Sequence, residues 1–384
     1  MSNRIITLIT LLSALVSPFS ATVHAVTPGD PIIRLDSTTK MELDLGMMIE
    51  ELMPLVLESL AAEDQESAEV TTFLMDQLGL DALQLMELES RQTKEKSTSN
   101  ITITFDKEKD GLLPRLLSTA NGRCGFGKYV PRDELVMFMT AHNFSSYLET
   151  ILDYLSRPEM VPFLNDMPVD ENGELVFGGL NLRKDLLPLL SGELDLFILE
   201  THADSEISLL KAPYFLVLGS SNGYALRDVI LELVSASGMD LTAMLDAIEP
   251  EALGGFEFKA IPFGGAFAVN DDYLVITLAP DHLRKMLVDP AGDLKVPDGQ
   301  KWIYMDGPKY GAFMESAMAM ASDFSTDESG GQQLMMKVYS TLFESIETEE
   351  ILVKNNSESL EIKSEVGGPV MTGLYKLVHV MLQE

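Results

Sequence analysis

The sequence predicts an α+β fold of repeated strand–loop–helix–hairpin units, forming antiparallel sheets with helices packed on one face. Three observations predict it. Four times the chain runs from proline through a short apolar strand and a polar loop into an amphipathic helix, with starts roughly 80 to 100 residues apart. Behind these helices come apolar alternations around turn residues, the mark of antiparallel hairpins. The steady strand–helix rhythm of a doubly wound parallel sheet is absent. Pairing the units gives α+β domains at residues 26–208 and 209–384.

Residues 1–25 read as an export signal. Arg4 supplies the positive start, Ile5 to Val16 the apolar run, and Val23-His24-Ala25 a small-residue cleavage site. The apolar run, about 12 residues, is too short to span a bilayer, which needs roughly 20. No cysteine follows it to carry a lipid. Cleavage near Ala25 leaves a periplasmic or extracellular chain long enough for about two domains. No later segment reaches membrane-spanning length, and Leu374 to Leu382 reads as an amphipathic helix interrupted by Lys376 and His379.

The first unit opens at Pro28-Gly29-Asp30-Pro31. A strand at Ile32, Ile33 and Leu35 leads through the loop Asp36 to Thr39 into a helix from Met41, which Pro54 must kink or restart. The acidic patch Ala62 to Glu69 reads as a solvated helix end or loop. Leu83 to Glu89 and Ile101 to Phe105 form a hairpin across the polar tip Arg91 to Asn100, and Leu112 to Thr119 a helix. In the second unit, strand Leu135 to Met139 passes through Thr140-Ala141-His142-Asn143 to a helix whose face is Tyr147, Leu148, Ile151, Leu152 and Leu155. A short helix Leu182 to Leu190, broken by Pro188, then enters the alternating strand Leu194 to Leu199. The third unit has strand Tyr214 to Leu218, the loop Gly219-Ser220-Ser221-Asn222-Gly223, and a helix with Leu226, Val229, Ile230 and Leu233 on one face. Strands Phe256 to Ile261, Gly265 to Val269 and Tyr273 to Leu278 follow, the last two joined at Asn270-Asp271-Asp272, then a helix Asp281 to Leu287. The fourth unit has strand Trp302 to Met305, loop Asp306-Gly307-Pro308-Lys309, and a helix along Tyr310, Phe313, Met314, Ala317, Met318 and Ala321. After the polar run Ser322 to Gln333, Ile351 to Lys354 and Leu360 to Lys363 close as a hairpin.

Composition narrows the function classes. The net charge is −33 at pH 7, and one unit more negative once Arg4 is removed. Such a surface repels phosphate backbones and anionic headgroups, which excludes nucleic acid as a natural partner. With 46% hydrophobic residues the chain can bury substantial cores. Its single cysteine, Cys124, leaves no intramolecular disulfide, so stability rests on core size. Cys124 reads as a thiol tolerated in a Gly-rich turn, with a reactive thiol or an intermolecular bridge as alternatives.

Candidate chemistry is sparse. Ser221 sits in G-x-S-x-G between a strand and a helix, the setting of a hydrolase nucleophile elbow, with His282 and His379 later in the chain as possible bases. Against this, the corresponding loops at Thr140 to Asn143 and Asp306 to Lys309 carry no such serine, and no oxyanion segment precedes it. Gly122 to Lys128 matches G-x-x-x-x-G-K, but Tyr129 stands where a phosphate loop needs Ser or Thr, and Pro131 blocks the helix that should follow. The abundant methionines raise Cu(I) binding, with Met137, Met139 and His142 or Met314 and Met318 as ligands, although adaptable core filling explains them more simply. His142, His202, His282 and His379 show no zinc-site spacing, and no metal or cofactor is expected.

The order of elements resembles a family of exported bacterial proteins classed as a domain of unknown function. Two motifs carry the resemblance. Leu187-Pro188-Leu189-Leu190-Ser191-Gly192-Glu193 matches Leu-x-x-Leu-(Gly/Ser)-Gly-Glu before an apolar strand. Asp272-Tyr273-Leu274-Val275-Ile276 matches a turn-Tyr-Leu-Val-Ile strand before a short helix. The resemblance implies export and an α+β architecture, and brings no assigned activity.

The expected function is therefore that of an exported, non-enzymatic binding or scaffolding protein of the cell envelope, with an apolar ligand or another envelope protein as partner. A secreted serine hydrolase centred on Ser221 is the alternative, and a periplasmic lipid or Cu(I) carrier a weaker one. If the loops converge, His142, Ser221 and Lys309 are the residues expected to line a ligand site.

Overall fold

The computed structural model describes residues 37–63, 65–93, 95–157, 160, 168–170, 173–200, 213–236, 245, 247–261, 264–290, 292, 294–324, 346–356 and 358–368. The export signal, the strand at Ile32 to Leu35, His202, the polar run beyond Phe324 and the helix at Leu374 to Leu382 lie outside these residues.

The chain opens with β1 (Ser37–Asp44), α1 (Leu45–Glu63) and α2 (Gln65–Leu78), then the hairpin β2 (Leu83–Gln92) and β3 (Lys96–Phe105), and α3 (Leu112–Leu117). Here the sequence reading needs correction. Ser37 to Thr39 of the predicted loop and the predicted helix start at Met41 fall instead within β1, which pairs along its length with β2, Met41 opposite Leu88; Asp36 lies outside the described residues. A partner strand ten residues long extends β1 over the β-branched Thr38 and Thr39, residues that favour strands once paired. Helix α1 runs on past Pro54.

Next come β4 (Leu135–Ala141), α4 (Phe144–Leu155), a small ribbon of β5 (Val176–Phe177) and β6 (Leu180–Asn181), and β7 (Leu190–Leu199). The third segment holds β8 (Tyr214–Ser220), α5 (Gly223–Ala236), β9 (Glu251–Leu253), β10 (Phe256–Ala260), β11 (Ala266–Val269), β12 (Tyr273–Thr277) and α6 (Pro280–Val288). The last has β13 (Lys301–Asp306), α7 (Gly307–Phe324) and the hairpin β14 (Thr348–Asn355) and β15 (Ser359–Gly367). Of the predicted loop at Asp306 to Lys309, Asp306 ends β13 and Gly307 to Lys309 lie in the first turn of α7. The Asp306 carboxylate accepts the Lys309 N–H at 3.1 Å, so it caps the helix N-terminus rather than opening a loop.

This is an α+β protein with one large antiparallel sheet of 13 strands, in the order β1-β2-β3-β15-β14-β13-β4-β7-β8-β12-β11-β10-β9. The last hairpin docks on the first through β15 and β3, with Ile362 opposite Ile101. Strand β13 docks on β4, with Tyr304 opposite Phe138. Strands β7 and β8, on either side of residues 208 and 209, are paired with Phe197 opposite Phe215.

Alternation along the strands splits the core between two faces. On one, Phe138, Phe197 and Phe215 from β4, β7 and β8 form a row, joined by Trp302, Tyr304, Phe256, Phe258 and the α6 residues Leu283, Met286 and Leu287. On the other, Leu218, Phe267, Val269 and Leu274 pack with Leu226 of α5, and with Phe144 and Leu148 of α4. Helices therefore lie against both faces, where the sequence predicts one. The reason is the run of apolar residues in β8 and β11, which presents apolar side chains both ways and needs cover on both sides. No helix among the described residues is long and apolar enough to cross a membrane.

Candidate functional site

The sequence-predicted candidates do not gather in one place. Strands β4 and β8 run the same way, each antiparallel to β7 between them, so His142 and Ser221 follow strand ends at one edge of the sheet. Strand β13 runs opposite to β4, which puts Lys309 at the far edge. There its ammonium meets the Asp133 carbonyl and, at 3.4 Å, the Glu200 carboxylate.

Ser221 is not set up as a nucleophile. Its hydroxyl donates to the Pro188 carbonyl at 2.9 Å, and its N–H to the Leu189 carbonyl at 3.0 Å. Gly219 also has a packing role: a Cβ there would stand 2.6 Å from the Ser191 hydroxyl and 2.8 Å from Cβ of Glu193. The glycine lets β7 and β8 close on each other. His142 is buried, and its Nδ1 donates to the Gly299 carbonyl at 2.7 Å, which fixes that tautomer. Burial holds its pKa below the usual range, with the Gly299 bond working the other way. Of the methionine candidates, Met137 and Met139 share one side of β4, while His142 is turned into this buried contact.

What the structure does bring together is a cluster around β7 that spacing alone does not reveal. Glu193 and Asp195 occupy alternate positions of β7 and point the same way, in line with Phe197. Both are buried, Glu193 at 8% exposed and Asp195 at 0%. The loop 121–129 lies over them. It is pinned at Gly122, whose N–H donates to the Gly299 carbonyl at 2.8 Å, and at Phe126, which packs edge-on to Tyr273 and tilted on Phe197.

Four donors then converge on one carboxylate. The N–H groups of Gly125 and Phe126 donate to Glu193 Oε2 and Oε1, each at 2.9 Å. The Cys124 thiol donates to Oε1 at 3.1 Å, and the Tyr273 hydroxyl to Oε2 at 3.4 Å. Only glycine fits at 125, because a Cβ there would sit 2.3 Å from the Tyr273 oxygen. The G-x-x-x-x-G-K match thus does hold an acidic group through its backbone N–H groups, and that group is the chain's own Glu193 side chain. Its Lys128 lies over the Tyr129 ring, 5.0 Å from the centroid.

Asp195 sits beneath. Its Oδ2 is 3.7 Å from the Cys124 sulfur, and its Oδ1 has no hydrogen-bond partner among the described residues. Thr140, opposite on β4, favours the Asp195 anion from nearby without a close hydrogen bond. Burial, then the Glu193 charge, push the Asp195 carboxyl well above its ordinary range. Burial, then the charges of Asp195 and Glu193, push the Cys124 thiol far up, so it is a protonated, unreactive thiol in this state. Tyr273 is raised too, again chiefly by burial.

The cluster joins residues 69 and 71 positions apart in the chain, which is why no motif announces it. One local signal was present: two acids on the same side of a strand as Phe197, in a segment otherwise apolar. The cluster also joins the stretch Leu187 to Glu193 to the stretch Asp272 to Ile276, through Glu193 and Tyr273. Comparison with protein-family models and with curated proteins finds no match for the chain.

Proposed function

We propose that the chain is an exported, non-enzymatic protein of the cell envelope or medium that binds or scaffolds, its partner being an apolar ligand or another envelope protein. One observation carries the reading. On the sheet face opposite the aromatic row, Ile303, Met139, Leu196, Leu216 and Ile276 stand opposite one another across β13, β4, β7, β8 and β12. Met139 and Leu196 at the middle of that row are 37% and 38% exposed. A contiguous apolar stripe open at its centre suits an apolar partner better than it suits water.

The engaged hydroxyl of Ser221 supports the absence of hydrolase chemistry. The succession of strand, helix and returning antiparallel strand in β1 to β2, β4 to β7, β8 to β12 and β13 to β14 supports a scaffold of four related units, paired as 26–208 and 209–384. The acidic surface and the N-terminal signal pattern support export.

Two measurements test this. With Nile red as an apolar reporter, Leu196→Asp is expected to weaken binding about tenfold or more, the scale of one buried leucine contact, with circular dichroism checking that the variant remains folded. Equal dye binding by the parent, Leu196→Asp and Met139→Asp would sink the apolar row as a binding surface. With a fluorophosphonate probe, no labelling is expected beyond that of Ser221→Ala. Labelling that depends on Ser221 would replace this reading with a secreted serine hydrolase.

A further inference from the structure

We propose that Cys124, Glu193 and Asp195 form a binding site for a divalent transition-metal cation of the zinc class, with the fourth position facing Tyr273 and solvent. The donor atoms of the three residues lie within 4.8 Å of one another. The sulfur is 3.1 Å from Glu193 Oε1 and 3.7 Å from Asp195 Oδ2. A tetrahedral ion with Zn–S about 2.3 Å and Zn–O about 2.0–2.2 Å requires S···O edges of about 3.6 Å. The S···Oδ2 separation already matches that edge, and Glu193 Oε1 has to move away from the sulfur by about 0.5 Å.

A second observation points the same way. Asp195 is fully buried, yet one of its oxygens has no hydrogen-bond partner and no cationic side chain pairs with it among the described residues. Buried carboxylates in proteins are paired, hydrogen-bonded or bound to metal. Glu193 is already oriented by the N–H groups of Gly125 and Phe126, the kind of outer support that ligating carboxylates receive.

Charge bookkeeping favours exchange of protons for the ion. The Gly125 and Phe126 N–H groups, the Cys124 thiol and the Tyr273 hydroxyl all donate to Glu193, and burial favours the protonated forms of Cys124 and Asp195. Binding M²⁺ displaces the thiol proton and the Asp195 proton, which leave to solvent, and forms M–S and two M–O bonds. Two protons leave as two positive charges enter, so the net charge of the cluster is unchanged and burial does not oppose the exchange. Cys124 and Tyr273 are partly exposed, which gives the ion a path in. One thiolate with two carboxylates suits borderline cations such as Zn²⁺ and Co²⁺. Mg²⁺ and Ca²⁺ want six or more oxygens, and Cu(I) prefers softer donors. Once bound, the ion would tie the loop 121–129 to the middle of the sheet.

Cobalt(II) gives the test, because the chain has one cysteine and a thiolate–cobalt charge-transfer band therefore reports this site alone. Full-length protein cleared of metal with a chelator is titrated with Co²⁺ in weakly buffered solution. Expected are one equivalent of a near-ultraviolet charge-transfer band, about two protons released per ion, and loss of the band on adding Zn²⁺. Cys124→Ser should abolish the band, and Asp195→Asn, isosteric with the protonated acid and so expected to fold, should weaken binding about tenfold or more. Absence of the band at millimolar Co²⁺ with the thiol intact would overturn the proposal. So would equal Zn²⁺-induced rises in melting temperature for the parent and Asp195→Asn, since the many other acids would then be the binders.

Discussion

Phe197→Ala is expected to destabilise the protein by about 3–5 kcal/mol, the range for deleting a fully buried aromatic ring. Phe197 lies at the centre of the aromatic row. Its ring stacks on Phe215 with centroids 4.6 Å apart at 5°, and on Phe138 at 5.6 Å and 20°. It also meets Phe126 at 6.3 Å. The rings belong to three adjacent strands and to the loop that covers the carboxylate cluster, so they cannot collapse independently into the space left behind. With typical net stabilities of about 5–15 kcal/mol, that loss is a large share of the whole. Guanidinium unfolding of the parent, Phe197→Leu and Phe197→Ala measures it. The leucine variant should fall between the other two, and a loss below about 1 kcal/mol for alanine would show that the row is not the centre of the core.

Asp195→Asn in metal-free protein, kept in chelator, is expected to be more stable than the parent at neutral pH. The cause is the raised pKa of the buried Asp195 carboxyl. Folded chains keep a proton on it that unfolded chains release above about pH 4. Below that pH both states hold the proton and Asp195 carries no penalty. Above it, stability falls as pH rises, by up to about 1.4 kcal/mol per unit, until the folded group itself ionises. Asparagine has no proton to lose. Its advantage should therefore grow from about pH 4 upward and vanish toward about pH 4, as read from unfolding midpoints across that range. A variant less stable than the parent at neutral pH, or a gap that widens on acidification, would refute the buried-acid account.

Much of the sheet was legible because its signals are local. The alternation in Ile101, Ile103 and Phe105, and the turn at Asn270 to Asp272, announced the hairpins β2–β3 and β11–β12, but the predicted tip Arg91 to Asn100 is mostly strand, since β2 runs to Gln92 and β3 starts at Lys96. The stripe Leu226, Val229, Ile230 and Leu233 placed α5. Where local signals failed, a partner from elsewhere in the chain decided. Thr38 and Thr39 resemble a loop until β2 lies beside them, and Asp306 resembles a loop residue until its carboxylate caps α7.

The candidate site shows the same division more sharply. Gly219 and Ser221 satisfied a local pattern for a nucleophile, but the glycine is small so that Glu193 can pass, and the serine hydroxyl is spent on a carbonyl. Gly122 to Lys128 satisfied a local pattern for phosphate, but its N–H groups hold Glu193. Each pattern reports a backbone geometry, a tight turn or a cradle of amides, and geometry does not say which group will fill it.

By itself, then, the sequence determined the antiparallel α+β character and most strand and helix positions. These depend on periodicity and turn chemistry within about ten residues. Only the tertiary structure decided that first and last hairpins share one sheet, that helices cover both of its faces, and that Cys124, Glu193, Asp195 and Tyr273 meet. Those outcomes depend on contacts between residues 69 to 80 positions apart or more. Such contacts are set by the pairing order of strands, which local composition does not encode.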